Sequence, residues 1–231
     1  MPFTFSHPAI VLPLTYTDKT MFSVTALTIG SITPDFGYFF YLPLRLNFSH
    51  TWSGILWFDL PLSIVILFLY EQFVRKQLVD HLPSFLYRRF AGFKKRRTVG
   101  DQIKRRLIIV SSLLIGITSH VLWDKITHKG AWLAEDPTEI YPVLWDTSTI
   151  IGGLLITIII IKMRRANVIR QTNIVLYWLP IFTVMLTFII FRSSYDSNIT
   201  SLTVAGIAGL FLGLLIVSFF FSIVGNSHSK Q

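Results

Sequence analysis

The chain has 231 residues, of which 52% are hydrophobic and only 14% are charged, whereas a soluble domain has about 25% charged residues. This composition excludes an ordinary soluble domain and predicts an all-α polytopic membrane protein, while the absence of cysteine excludes disulfides and thiolate metal sites. The net charge of +9 is concentrated beside the apolar segments, where basic residues set membrane topology, so we expect no nucleic-acid partner.

The N-terminal region, residues 1–54, is expected on the outer side of the membrane. Its apolar stretch MFSVTALTIGSI at 21–32 is short for a span. It therefore predicts a helix that lies in the membrane interface or re-enters the helix bundle. A full span over 24–46 is the alternative, and it would bury Asp35 near mid-bilayer and move His7 to the inner side.

Five later segments have the apolar character and the approximate length, about 17 to 25 residues, that a bilayer requires. We interpret residues 1–231 as one membrane domain, a helix bundle with about five spans. The spans are predicted at 55–72, 107–125, 147–162, 174–192 and 202–224.

Basic residues predict the orientation of these spans. The segment 73–106 is rich in lysine and arginine, including KKRR at 94–97, and the loop at 162–170 is also basic. The positive-inside rule places both in the cytoplasm. The loop between the second and third spans is acidic and is expected outside. Five spans then leave the C-terminus in the cytoplasm, and membrane lipids are the expected neighbours.

Histidines and aspartates that can bind a metal gather on the predicted outer side. Four of the six histidines lie there. His120 and Asp124 share one helix face, because they are four positions apart. Imidazole and carboxylate are the ligands that zinc and similar divalent ions prefer. Ionisable groups at a membrane edge are costly and are candidates for function. The candidate ligands are His7, Asp35, His50, His120, Asp124 and His128.

Each candidate also has a purely structural explanation. A histidine at a membrane edge can be an interfacial or helix-capping group, and Asp124 could orient a histidine instead of binding the ion. His128 follows the expected helix end and is equally explained as a loop histidine. The polar residues would then connect the N-terminal segment to the bundle, in a transporter-like or scaffold protein.

Four sequence blocks, taken in order, resemble one family. They are MPFTFSHPAIVLPL at the start, IGSITPDFGYF at 29–39, SHTWSG at 49–54 and ITSHVLWDKITHKGAW at 117–132. Together they resemble DUF4184, an uncharacterised family of bacterial membrane proteins. More distantly, they are similar to membrane-bound metal-dependent hydrolases and to zinc-dependent phospholipase C. The chain lacks the fuller set of histidine and acidic ligands of phospholipase C.

The resemblance implies a bacterial inner-membrane protein with a metal site made by His7, Asp35, His50, His120 and Asp124. A divalent ion, with zinc among the candidates, would polarise a phosphoryl or acyl oxygen and activate water. Whichever of the two aspartates is not a ligand would act as the general base. A site at the outer headgroup level favours a lipid or phosphoester substrate. The chain has no Gly-rich phosphate loop, nucleophile elbow or HExxH motif.

The predicted orientation is tested by labelling single cysteines, because the natural chain contains none. In intact cells, we expect a membrane-impermeant maleimide to label Glu135→Cys and to leave Lys95→Cys unlabelled until the membrane is permeabilised. The opposite pattern would reverse the topology and place the candidate metal ligands on the inner side.

Overall fold

The computed structural model describes residues 4–17, 20–39, 49–94, 102–127, 140–169 and 172–228, which form helices and connecting turns. The prediction of about five spans is confirmed, because five helices within these described residues are long and apolar enough to cross a membrane. The chain is therefore an all-α, multi-pass membrane protein whose apolar surfaces contact lipid. The helices are α1 Pro8–Val11, α2 Leu14–Thr17, α3 Val24–Ile32, α4 Phe36–Phe39, α5 Trp52–Asp80, α6 Ser84–Phe90, α7 Gln102–Thr127, α8 Ile140–Lys162, α9 Ile174–Ser193 and α10 Ile199–His228.

Helix α5 is longer than the predicted first span of 55–72. It contains two π-helical turns, Ile55–Asp59 and Tyr70–Val74, and it ends only at Asp80. The predicted basic segment 73–106 is therefore helical at its start. Its first residues belong to α5, and α6 begins four residues after α5 ends. The sequence predicted the core of the span, but the polar residues after it hid the continuation of the helix.

The chain divides into two compact units. The first contains α3, α7, α8 and the N-terminal part of α5, and the second contains α6, α9, α10 and the remainder of α5. Their bounds are Met1–Gly37, Leu42–Leu67 and Thr98–Met163 for the first, and Tyr38–Tyr41, Phe68–Arg97 and Arg164–Gln231 for the second.

The second unit has its core between α9 and α10. Tyr177 and Ile181 are fully buried and pack against Val217. The Tyr177 hydroxyl lies 2.7 Å from Ser218 Oγ, which satisfies two polar groups inside the core. The His81 ring stacks on Tyr177 with a centroid distance of 4.4 Å. A histidine in the basic segment is therefore explained here by packing.

The first unit is organised by the packing of α3 along α7. Ser23 caps α3 by accepting a hydrogen bond from the Ala26 amide, and its own amide donates to Ser112 Oγ. Further along, the Ser31 carbonyl accepts from His120, so the two helices run in the same direction. A helix buried alongside a span, rather than across its end, favours the re-entrant arrangement. The alternative span over 24–46 includes residues 40–46, which lie outside the described part of the chain.

Glycines allow the backbones of α3 and α7 to approach closely. A Cβ added at Gly116 would lie 2.5 Å from the Leu27 carbonyl oxygen and 2.8 Å from the Ser31 amide nitrogen. Both neighbouring atoms belong to the backbone of α3, so they cannot rotate away. Small residues at helix contacts are the usual means of close packing in membranes.

We expect Gly116→Ala to destabilise the protein by about 1–3 kcal/mol, because the methyl group must push α3 away from α7. The matched control is Gly153→Ala in α8, where an added Cβ meets nothing within 4 Å. Thermal unfolding in detergent should show a lower Tm for Gly116→Ala only. Equal Tm values for the two variants would contradict the proposed role of this helix contact.

Candidate metal site

The candidate site lies in the first unit, where three chain segments meet. Asp35 ends a 3-10 turn, Thr33–Asp35, which follows α3 directly. His50 precedes α5, whose N-terminus is capped by Thr51 through a bond from the Gly54 amide. His120 and Asp124 lie one turn apart on the face of α7 that is buried. The packing of α3 along α7 therefore brings Asp35 to the same level as Asp124.

Four side chains converge closely enough to hold one metal ion. One ligand atom from each of Asp35, His50, His120 and Asp124 lies within 4.8 Å of all the others. Asp124 Oδ2 is 3.0 Å from His50 Nε2 and 3.3 Å from His120 Nε2. Asp35 Oδ1 is 3.7 Å from His50 Nε2 and 3.5 Å from His120 Nε2. Each histidine therefore faces both carboxylates with the same ring nitrogen.

These distances fit the dimensions of a metal centre. Ligands at about 2.0–2.1 Å from a tetrahedral zinc ion lie roughly 3.3–3.4 Å from one another. The four nitrogen–oxygen distances, 3.0–3.7 Å, bracket that spacing. Among the described residues, Asp35 Oδ1 and His120 Nε2 are buried without a hydrogen-bond partner. The donor set therefore fits a divalent cation.

Neighbouring groups fix the orientation of two of the ligands. His120 Nδ1 lies 2.8 Å from the Ser31 carbonyl oxygen, which can only accept, so Nδ1 carries a proton and Nε2 is the ligand atom of the neutral ring. Thr4 Oγ1 donates to Asp35 Oδ2 at 2.5 Å, which leaves Oδ1 towards the histidines. Partners of this kind are typical behind metal ligands, where they hold each ring or carboxylate in place.

His7 lies beside the four-residue group. Its ring stacks on His120 with a centroid distance of 4.0 Å, and its Nε2 is 3.7 Å from Asp124 Oδ1. This is the Asp124 oxygen opposite to the one that faces His50 and His120. The structure thus brings His7 to the site but outside the set of four, and its role as a ligand stays a prediction. His128 lies outside the described residues.

Three of the four side chains at the site are buried, and the fourth is partly exposed. The side chains of Asp35 and His120 are 1% and 0% exposed, and that of Asp124 is 6% exposed. His50 is 27% exposed and is the ligand that solvent or a substrate can reach. The open side of the cluster is therefore the side of the segment that leads into α5.

Asp59 is a further buried carboxylate, and the sequence analysis did not select it. It lies in a π-helical turn of α5, is 0% exposed, and interacts electrostatically with His120 and Asp35. Neither carboxylate oxygen has a hydrogen-bond partner among the residues described. An aspartate inside an apolar span was the available signal, because such a residue is costly unless it has a function.

We expect Thr4→Val to lower the free energy of unfolding by about 1–3 kcal/mol, because the nearly isosteric change removes the donor from a buried carboxylate. The control is Thr157→Val, an exposed threonine whose hydroxyl bonds only to the Gly153 carbonyl within its own helix. A Tm for Thr4→Val that equals that of the control would show that this bond does not hold the N-terminal segment.

Comparison with known proteins agrees with the resemblance in the sequence blocks. The model of the family described as "Domain of unknown function (DUF4184)" matches residues 1–219. No curated protein and no solved structure matches the chain. The matched region includes the four converging residues, the first four spans and most of the fifth. The chain belongs to the DUF4184 family.

Proposed function

We propose that the protein is a membrane-bound, metal-dependent hydrolase that acts on a lipid or phosphoester at the outer headgroup level. The observation that carries the proposal is the convergence of Asp35, His50, His120 and Asp124 within 4.8 Å. On the predicted topology the site opens outward in the bacterial inner membrane, and the C-terminus is cytoplasmic. Zinc is the favoured ion, because two imidazoles and two carboxylates suit its coordination.

The ligand atoms carry charges that a divalent ion would balance. Two buried carboxylates a few ångströms apart repel each other unless positive charge lies between them. Asp35 and Asp124 each direct one oxygen towards both His50 and His120. A cation at the centre of these four groups would neutralise the carboxylates and bind the ring nitrogens that face them. The bound ion would supply a Lewis acid that polarises a phosphoryl or acyl oxygen.

The remaining chemistry belongs to the side chains. Asp124 Oδ1 is the oxygen turned away from His50 and His120. We assign it the role of general base, which accepts the proton of the attacking water. His7 Nε2, 3.7 Å away, would hold that proton in turn. The water oxygen forms the new bond to phosphorus or carbon, the bond to the leaving oxygen breaks, and the proton passes to the leaving oxygen. Asp35 is the alternative base, although its Oδ2 already accepts a hydrogen bond from the Thr4 hydroxyl.

A non-enzymatic function is supported by the burial of the site. Asp35 and His120 are nearly inaccessible, and three contacts link the N-terminal residues to α7 or to each other, through Thr4, His7 and Ser31. In that case the cluster is a hydrogen-bonded network or a structural ion site in a transporter-like or scaffold protein. Protonated histidines would then balance the carboxylates.

We expect the full-length protein, purified without chelators, to contain about one divalent ion per chain by elemental analysis. Asp124→Asn keeps the side-chain shape and removes the charge, so the metal affinity should fall at least roughly tenfold. Asp146→Asn makes the same change at an exposed position of α8 and should leave the metal content unchanged. Circular dichroism verifies that both variants remain helical.

Two further results decide between the functions. A wild-type protein that contains no metal and binds none on titration would contradict the metal site and leave the hydrogen-bonded network. Hydrolysis of a chromogenic phosphodiester or of fluorescent phospholipid vesicles, abolished by chelator and by Asp124→Asn, would support the enzyme. Stoichiometric metal without hydrolysis of these probes would favour the structural ion.

A further inference from the structure

A cavity lined by arginines lies in the second unit, whereas the histidine–aspartate cluster belongs to the first. Its volume is about 480 Å³, and neither the metal site nor the proposed reaction uses it. The lining residues are Ser84, Phe85, Arg88, Arg89 and Arg165.

Two chain segments form the cavity, and a backbone hydrogen bond joins them. The Ala166 amide donates to the Arg88 carbonyl at 2.7 Å, which holds the residues after α8 beside α6. Arg89 is 8% exposed, and its Nη1 donates to the Phe85 carbonyl at 2.7 Å. One arginine is therefore fixed in the wall of the cavity, and the link at Ala166 brings Arg165 to it.

The described acidic residues that lie nearest to the cavity in the chain form ion pairs with cations outside its lining. Asp80 forms an ion pair with Lys94, and Glu71 forms one with Arg75. Within the described part of the chain, no ion pair involves Arg88 or Arg165, and both side chains are exposed. The cavity therefore presents two available guanidinium groups beside a third that is buried.

The position of the cavity along the chain places it at the depth of lipid headgroups. Helix α6 begins four residues after the first span ends at Asp80, and Arg165 follows the end of the third span at Lys162 by three residues. Phe85 also lines the cavity and is 63% exposed, which provides an apolar contact next to the charges. An aromatic ring beside basic groups is typical of the membrane–water interface.

We propose that this cavity binds the phosphate group of an anionic phospholipid. Guanidinium groups bind phosphate oxygens with paired, charge-assisted hydrogen bonds, and the Ser84 hydroxyl adds a donor. A free phosphate ion shares this chemistry, but the headgroup depth and the exposed Phe85 favour a lipid, whose glycerol and acyl carbons contact the ring. On the predicted topology, the lipid belongs to the cytoplasmic leaflet.

The test measures phosphatidylglycerol binding to the full-length protein in detergent by native mass spectrometry. Arg88→Gln combined with Arg165→Gln removes two charges from the cavity. Lys162→Gln combined with Arg164→Gln removes two exposed charges that lie next to Arg165 in the sequence, and it is the matched control. We expect the cavity variant to bind the lipid roughly tenfold more weakly than the control does.

A second pair of measurements distinguishes lipid from ion and charge from geometry. Arg88→Lys combined with Arg165→Lys keeps the charge but loses the paired hydrogen bonds, so its lipid binding should also fall below that of the wild type. Millimolar inorganic phosphate should not displace the lipid. The proposal is overturned if the cavity variant and the control lose binding equally, if the lysine variant binds as the wild type does, or if inorganic phosphate displaces the lipid.

Discussion

The close contact between α3 and α7 is the constraint on which the candidate site depends. Gly116 lets the two backbones meet, and the Ser31 carbonyl then reaches the His120 ring. Because the helices run in the same direction, one further turn along each brings Asp35 level with Asp124. A wider separation would leave two carboxylates and a histidine buried without their partners, at a cost of several kcal/mol. In this unit, the close packing of α3 against α7 is therefore required for the buried polar side chains to reach their partners.

Hydropathy was sufficient to predict the spans, because a bilayer demands long apolar helices regardless of tertiary detail. The four-residue spacing also predicted that His120 and Asp124 share a face. The predicted topology and the family resemblance grouped His50 and Asp35 with these two residues, but their close convergence depends on contacts between distant segments. Local pattern could not predict that α3 is buried along a span, since the twelve-residue apolar stretch at 21–32 fits an interface equally well. Asp59 was not among the candidates, because a single aspartate inside an apolar span has no spacing pattern that indicates a ligand set.

The groups that hydrogen-bond to the candidate ligands explain why the local sequence around the site has no strong motif. The Ser31 carbonyl orients His120 and the Thr4 hydroxyl orients Asp35. In each side chain, one polar atom forms this hydrogen bond and the other faces the centre of the site. Neither partner has a sequence signature, because any residue offers a carbonyl and threonine is common. The information lies in the register between α3 and α7, and a one-turn slip would move the ligands about 5.4 Å apart along the helix axis.

The number of ligands bears directly on the choice between catalysis and structure. Zinc sites with four protein ligands are closed, whereas catalytic sites keep a position for water or substrate. Three of the four candidate ligands are buried, on α7 or on the turn after α3. His50 is the exception, because it is partly exposed and lies before the start of α5. A hydrolase built on this site therefore has to admit its substrate past His50, either by displacing that imidazole or by adding a fifth ligand at its side.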